Sequence, residues 1–300
     1  LLAVRDGVTA SQVSLPAGPW TCMLDFLVAR FPAISASEWI GRMEAGDVVD
    51  TAGRAVTTLQ AYVPHQKLYY YRTVPNEEAN AAQARVLFED ELLVVTDKPH
   101  FLPVTPSGPY LQETLLVRLR RQLGAPALAP LHRIDRETAG LVLFAKEPST
   151  RGAYHALFAE RKVVKHYQAI AAFDAHLRFP MVRASRLVAG DHFMQMREAH
   201  DDAGAAPNAH TEIDLLETQG AWSRYRLRPA TGKRHQLRVH MAALGLPILG
   251  DRIYPHLLLP GGDDHANPLR LLAQGIAFRD PVTGKERDFA SLQQLHFPDH

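Results

Sequence analysis

The chain has 300 residues, 46% hydrophobic and 22% charged, the balance of an ordinary globular protein. No run of 18 apolar residues occurs, and Arg5 and Asp6 stand where a signal peptide would carry its apolar core, so neither a membrane-spanning helix nor a secretory leader is expected. The one cysteine, Cys22, excludes an intramolecular disulfide and suits a reducing cytoplasm, while a net charge of +1 argues against a uniformly basic nucleic-acid binder.

Residues 1–75 read as a small separate unit. Apolar positions 23, 24, 26, 27, 28 and 31 have helical spacing. Ser35 and Ser37 can cap a second helix through Met43, with Gly46 near its stop. Residues 47–50 and 52–54 read as a strand and a turn. The polar, Ala-rich stretch 76–84 reads as a linker.

Residues 85–300 read as the larger domain. Residues 86–88 and 92–95 form a hairpin-like pair around Glu89-Asp90-Glu91. A helix is expected over 114–123, a buried strand over 141–145, a helix capped by Ser149 over 149–161, and a strand over 163–171. Two strands, 210–218 and 222–228, meet around Gly220, and a helix over 233–244 opens after Gly232. Loops fall at 200–209 and 260–268. Antiparallel-looking strands with inserted helices predict an α+β fold built on a mixed, mainly antiparallel sheet.

Charge is uneven along this domain. Arg118, Arg120, Arg121, Arg133 and Arg136 surround a single acid, Asp135, and residues 222–240 hold Arg224, Arg226, Arg228, Lys233, Arg234 and Arg238 with no acid. Two basic clusters flanking one acid favour an anion-binding face. The 233–244 helix would put Arg234 and Arg238 on one face, and its N-terminus offers a place for a phosphate. There is no phosphate loop, dinucleotide fingerprint, HExxH or GxSxG, and one cysteine excludes a CxxC zinc site, so no metal is expected. What remains is an acid among arginines. A carboxylate oriented by a guanidinium in a cleft can serve as nucleophile or base. A hydrolase pairing Asp135 with Glu137 would need the two acids to face each other.

Four segments carry a resemblance. HRIDRETAGLVLFAK, holding Asp135, resembles the HRLDxxTSG signature of the RluA-type RNA pseudouridine synthases. TGKRHQLRVHMAALGLPILGD resembles the GRxHQIRVH…HPIxGD segment of that family. DELLVVTDKP with LPVTPSG, and KHYQAI, resemble two further segments, in the family's order over roughly residues 86–254.

The resemblance implies the pseudouridine synthase fold and an isomerase that turns specific uridines of ribosomal or transfer RNA into pseudouridine. Asp135 matches the catalytic aspartate, attacking at the ribose or at the base. Tyr167 matches the tyrosine that packs on the target base, and Arg238 the arginine that pairs with the aspartate. Arg133 matches the arginine that enters the gap left by a flipped base. Arg136, Arg228, Lys233, Arg234 and His235 complete the implied RNA-binding set. An isomerisation implies no cofactor, and a monomer acting on RNA in the cytoplasm is expected. Ile134, Ala139, Lys233, Phe101 and Thr105 depart from the family pattern, Lys233 losing the bidentate fork of an arginine. None of them is the aspartate, tyrosine or paired arginine. The N-terminal unit resembles a small RNA-binding module shared with a ribosomal small-subunit protein, but Arg42 is the only base over 37–44. The alternative is a non-catalytic RNA-binding or ribosome-assembly protein on the same fold.

Overall fold

A computed structural model describes residues 2–199, 206–258 and 262–298. Contacts divide the chain into two compact units: Leu1–Ala79 with Pro106–Pro126, and Asn80–Thr105 with Ala127–His300.

The first unit contains β1 (Ser11–Ser14), α1 (Met23–Arg30), α2 (Ala36–Glu44), β2 (Val48–Val49), β3 (Lys67–Tyr70) and α3 (Leu115–Gln122). The strands form an antiparallel sheet in the order β1-β3-β2. Phe26, Leu27, Trp39, Met43, Val48 and Leu68 fill its core. Ser35 caps α2 by accepting the Glu38 amide at 3.2 Å. Arg42 folds back on Glu38 at 2.6 Å and lies over the Trp39 ring, so the one base of α2 is neutralised within its own helix. β1 and β3 escape a periodicity reading because each is four residues long and buries a single side chain.

α3 lies at the place expected from the sequence but in the other unit. The Glu77 carboxylate accepts the amides of Leu111, Gln112 and Glu113 at 2.6–2.8 Å. Val117 packs with Val8 and Leu111, and Arg120 donates to the Gly7 carbonyl, 113 residues away in sequence. These ties detach 106–126 from the domain that its neighbours in sequence build, and they put Glu77 in structure rather than in a free linker.

The second unit holds β4 (Arg85–Glu89), β5 (Leu93–Lys98), β6 (Ala129–Pro130), β7 (Ala139–Ala145), α4 (Pro148–Ala159), β8 (Val164–Ala172), β9 (Met181–Ser185), β10 (Leu187–Ala189), β11 (Met196–Glu198), β12 (Ala209–Gln219), β13 (Trp222–Pro229), α5 (Gln236–Ala243), β14 (Leu271–Arg279) and β15 (Glu286–Ala290). Ten strands form one sheet along β4-β5-β7-β14-β8-β13-β12-β9, with β15 on β14 and β6 on β7. Every pair in it is antiparallel except β7–β14. The fold is therefore α+β on a mixed, mainly antiparallel sheet.

β7 is buried along its whole length, which explains its unbroken apolar run. Gly140 is required in it: its φ is +110°, and a Cβ there would lie 2.3 Å from the Ala273 carbonyl oxygen of β14. Along β13 the alternation is strict, with Ser223, Tyr225, Leu227 and Pro229 facing the core.

Two helix starts and two loops need comment. α4 begins at Pro148 with Glu147 as its N-cap, so Ser149 is inside the helix; the fixed φ of proline suits the first helical position. α5 begins at Gln236, not 233, because His235 adopts a left-handed φ of +54°. The Gln236 side chain closes residues 231–236 into a turn instead, its Oε1 accepting from Thr231 Oγ1 at 2.7 Å and from the Lys233 amide at 3.1 Å. The loops expected at 200–209 and 260–268 lie partly outside the described residues.

Candidate active site

Asp135 sits in the loop between β6 and β7, and that loop is pinned from two sides. His132 accepts the Leu143 amide of β7 at 3.2 Å and stacks on Phe158 of α4. Burial drives its pKa down to about 3, so it serves as a neutral acceptor. From the end of β5, Lys98 is fully buried and donates to the carbonyls of Arg136 at 3.0 Å and Pro99 at 2.9 Å. Burial lowers Lys98 to about 7, against the opposing pull of Glu137 and Asp135.

Arg238, in the middle of α5, is 1% exposed. Its Nε and Nη2 donate to the two oxygens of Asp251 at 2.8 and 2.7 Å, a bidentate pair. Asp251 Oδ1 also accepts the amides of Ile253 and Tyr254, which fixes the carboxylate itself. The remaining Nη1 of Arg238 donates to Asp135 Oδ2 at 3.2 Å and lies 3.7 Å from Glu137 Oε2. Burial alone would lower the guanidinium pKa, but the hydrogen bond and charge of Asp251, with Asp135 and Glu137, outweigh it and hold Arg238 above its ordinary range.

His235 closes the other side. Its Nε2 is 3.9 Å from Asp135 Oδ2, and its Nδ1 is 2.9 Å from the Tyr254 hydroxyl. That hydroxyl already accepts the Met196 amide at 2.7 Å, so its own proton is free to go to Nδ1. The tautomer that satisfies both bonds carries its proton on Nε2, facing Asp135. Burial pushes the His235 pKa down, which keeps the ring neutral. Asp135 thus has Oδ2 turned toward Arg238 and His235, while no hydrogen bond to Oδ1 is seen among the described residues.

Tyr167 comes from β8, directly opposite Leu227 of β13, and shares the core-facing side of the sheet with Ala169 and Tyr225. Burial, and secondarily the charge of Asp135, raises its hydroxyl pKa. Asp135 from the β6–β7 loop, Tyr167 from β8, and Arg238 with His235 from the start of α5 therefore come from three separate segments, and the pairing of Arg238 with Asp135 implied by the motifs is present.

The remaining basic residues divide. Arg133 is exposed on the same loop as Asp135, with no hydrogen bond or ion pair among the described residues. Lys233 is likewise exposed. Arg136 is engaged by Asp263 through both Nη atoms and lies over Phe101. Arg234 is not on α5 and shares no face with Arg238; it donates to the carbonyls of Phe193 and Met194, both at 3.0 Å. Arg228 falls on the face of the sheet away from Tyr167, because it follows Leu227 in an alternating strand. There Arg224, Arg226 and Arg228 oppose Glu217, Asp214 and Glu212 of β12 at 2.6, 2.9 and 2.9 Å. The apparent lack of acids over 222–240 is thus corrected by the neighbouring strand. Sequence reasoning overlooked Asp251 and Lys98 as members of the site, although both stand inside the matched segments.

The family model for RNA pseudouridylate synthases matches residues 92–243, the stretch that carries Asp135, Tyr167 and Arg238. The chain is 30% identical over 247 residues to an uncharacterized RNA pseudouridine synthase of Synechocystis sp., covering 80% of each. It is 31% identical over 206 residues to the dual-specificity RNA pseudouridine synthase RluA of Haemophilus influenzae, covering 68% of this chain and 90% of that one. In fold it is similar to the solved human RNA pseudouridylate synthase domain containing 1, with a TM-score of 0.58 at 21% identity over 72% of this chain and 86% of that one. The chain belongs to the RNA pseudouridylate synthase family, in its RluA-type branch. It is an isomerase that converts uridine in RNA to pseudouridine.

Proposed function

We propose that this synthase modifies particular uridines of ribosomal or transfer RNA, acting as a single chain in the cytoplasm and without a cofactor. The observation that carries the reading is the Asp135 carboxylate, anchored at Oδ2 by Arg238 at 3.2 Å and, among the described residues, with no hydrogen bond at Oδ1. The target must leave its stack to reach such a group. Arg133, exposed two residues before Asp135, fills the vacated place.

Asp135 supplies the electron pair, either to ribose C1′ or to C6 of the base. The bond between N1 and C1′ breaks, the uracil turns, and C5 joins C1′ as the aspartate is released. The proton lost from C5 is balanced by the one gained at N1, so reactant and product are isomers and no redox partner is required. Tyr167 packs on the base and relays the departing C5 proton. Arg238 acts through Asp135 as a positioning residue. Mapping pseudouridine in total RNA from cells with and without the protein tests the assignment. Loss of modification at defined ribosomal or transfer RNA uridines is expected, and an unchanged map overturns it.

A further inference from the structure

β10 and β11 form a two-stranded hairpin whose tip, residues 190–195, carries an aromatic side chain into solvent. Phe193 is 80% exposed, and the His192 ring lies against it with centroids 4.6 Å apart. Met194 beside it is also exposed. Isolated surface apolar groups are ordinary. This one is unusual in how firmly its backbone is held.

Arg234 Nη1 and Nη2 donate to the Phe193 and Met194 carbonyls, both at 3.0 Å. Gln195 Nε2 donates to the Ile253 carbonyl at 3.0 Å, and the Met196 amide to the Tyr254 hydroxyl at 2.7 Å. Arg234 precedes His235, whose ring reaches within 3.9 Å of Asp135, and Tyr254 bonds to that same ring. The exposed Phe193 ring is therefore built onto the wall of the cluster around Asp135. Among the described residues Arg234 meets carbonyls and no carboxylate, unlike Arg136 and Arg228, and Lys233 stands exposed next to it. A rigid aromatic face beside positive charge matches a nucleotide, which offers a flat base and an anionic phosphate.

We propose that Phe193, backed by His192, is a stacking platform for a nucleobase flanking the target uridine, with Arg234 setting the platform and lending charge to the adjoining phosphate. This rests on the reading of Asp135 as the reacting group. Stacking on a flanking base holds it apart from the target while the uridine is flipped, and it accepts any base, because every base has a π face. The platform therefore fixes distance from the target rather than sequence.

The test uses the full chain and bulk transfer and ribosomal RNA from cells lacking the protein. RNA affinity is read by filter binding and pseudouridine formation by single-turnover rate against enzyme concentration, for Phe193→Ala, Phe193→Leu, Phe193→Trp and Asp135→Asn. Phe193→Ala is expected to raise both the dissociation constant and the half-saturating concentration about ten-fold. Its plateau rate and thermal midpoint should stay near wild type. Phe193→Trp should retain wild-type affinity, and Phe193→Leu should behave as Ala does. Wild-type affinity in Phe193→Ala, or a Leu variant as good as the Trp variant, overturns the platform. If Asp135→Asn still turns over while Phe193→Ala loses affinity, the catalytic reading falls and Phe193 is left as an RNA contact whose place beside the target is overturned.

Discussion

Arg238 and Asp251 are joined by two hydrogen bonds of 2.8 and 2.7 Å at a place where both side chains are 1% exposed. The pair consumes two of the three donor directions of the guanidinium and leaves the third aimed at Asp135. Burying two charges is costly, and only such fork geometry with added backbone amides makes it tolerable. The arginine is thus oriented before any RNA arrives, so the reacting carboxylate needs no rearrangement to be engaged.

Asp251→Asn keeps the shape of the side chain and removes its charge. Leaving Arg238 buried without its anion is expected to destabilise the second unit by about 3–5 kcal/mol, read by urea unfolding. At a temperature where the variant is folded, the single-turnover rate should fall at least ten-fold, because Nη1 is no longer held on Asp135. A wild-type rate in a folded Asp251→Asn protein would remove Asp251 from the positioning of the site.

Asp135→Asn should abolish pseudouridine formation while RNA binding stays within a few-fold of wild type, since one partly exposed carboxylate gives way to an amide of equal size. Mass-spectrometric detection of pseudouridine in RNA exposed to the variant checks it. Residual turnover at a tenth of wild type or more would sink the nucleophile assignment.

Arg133 and Arg228 should part company in salt titrations. Arg133, exposed and with no ion pair among the described residues, brings its charge to the reacting loop, and its replacement by Ala should reduce the slope of log affinity against log salt by about one. Arg228 is already matched by Glu212 at 2.9 Å and Asp214 at 3.3 Å, so Arg228→Ala should leave that slope unchanged. Equal losses in the two variants would place RNA on both faces of the sheet.

Acid should unfold this protein through its histidines. His132 and His240 are depressed by burial from 6.5 to about 3 and about 4. Below 6.5 the unfolded chain takes up protons that the folded chain refuses, so stability falls with pH. The stabilisation from keeping both rings neutral is complete above 6.5 and declines toward the folded values. Each contributes a slope of about 1.4 kcal/mol per pH unit. Urea unfolding between pH 6.5 and 4.5 should approach the sum of the two, about 2.8 kcal/mol per pH unit, and His240→Gln should halve it; an unaltered slope would mean that His240 takes no part.

The parts of the site that were legible in the sequence are those whose meaning is local. Asp135, Tyr167 and Arg238 stand in short motifs with fixed spacing, and the helix cap at Ser35 is read from adjacent residues. What stayed hidden depends on partners remote in the chain. Arg136 looked like a free cation until Asp263, 127 residues on, proved to hold it. The arginines of β13 looked like a basic stripe because their acids lie across a strand register. The helix over 115–122 was visible from its pattern, but not the unit it joins, since that is settled by Glu77 and Gly7. The start of α5 was misjudged because the left-handed turn at His235 follows from a side-chain closure by Gln236, which no periodicity reports.

The ladder of ion pairs between β12 and β13 has a bearing on how the enzyme searches. Cellular RNA is an abundant polyanion, and each uncancelled arginine lengthens the time a protein lingers on a wrong stretch of it. By cancelling Arg224, Arg226 and Arg228 against its own acids, the chain makes the β12–β13 stretch of that sheet face indifferent to RNA. Encounters through that stretch are brief, and the molecule is released to try again in another orientation. Selectivity for a rare uridine is then helped as much by short visits to the many wrong sites as by contacts at the right one.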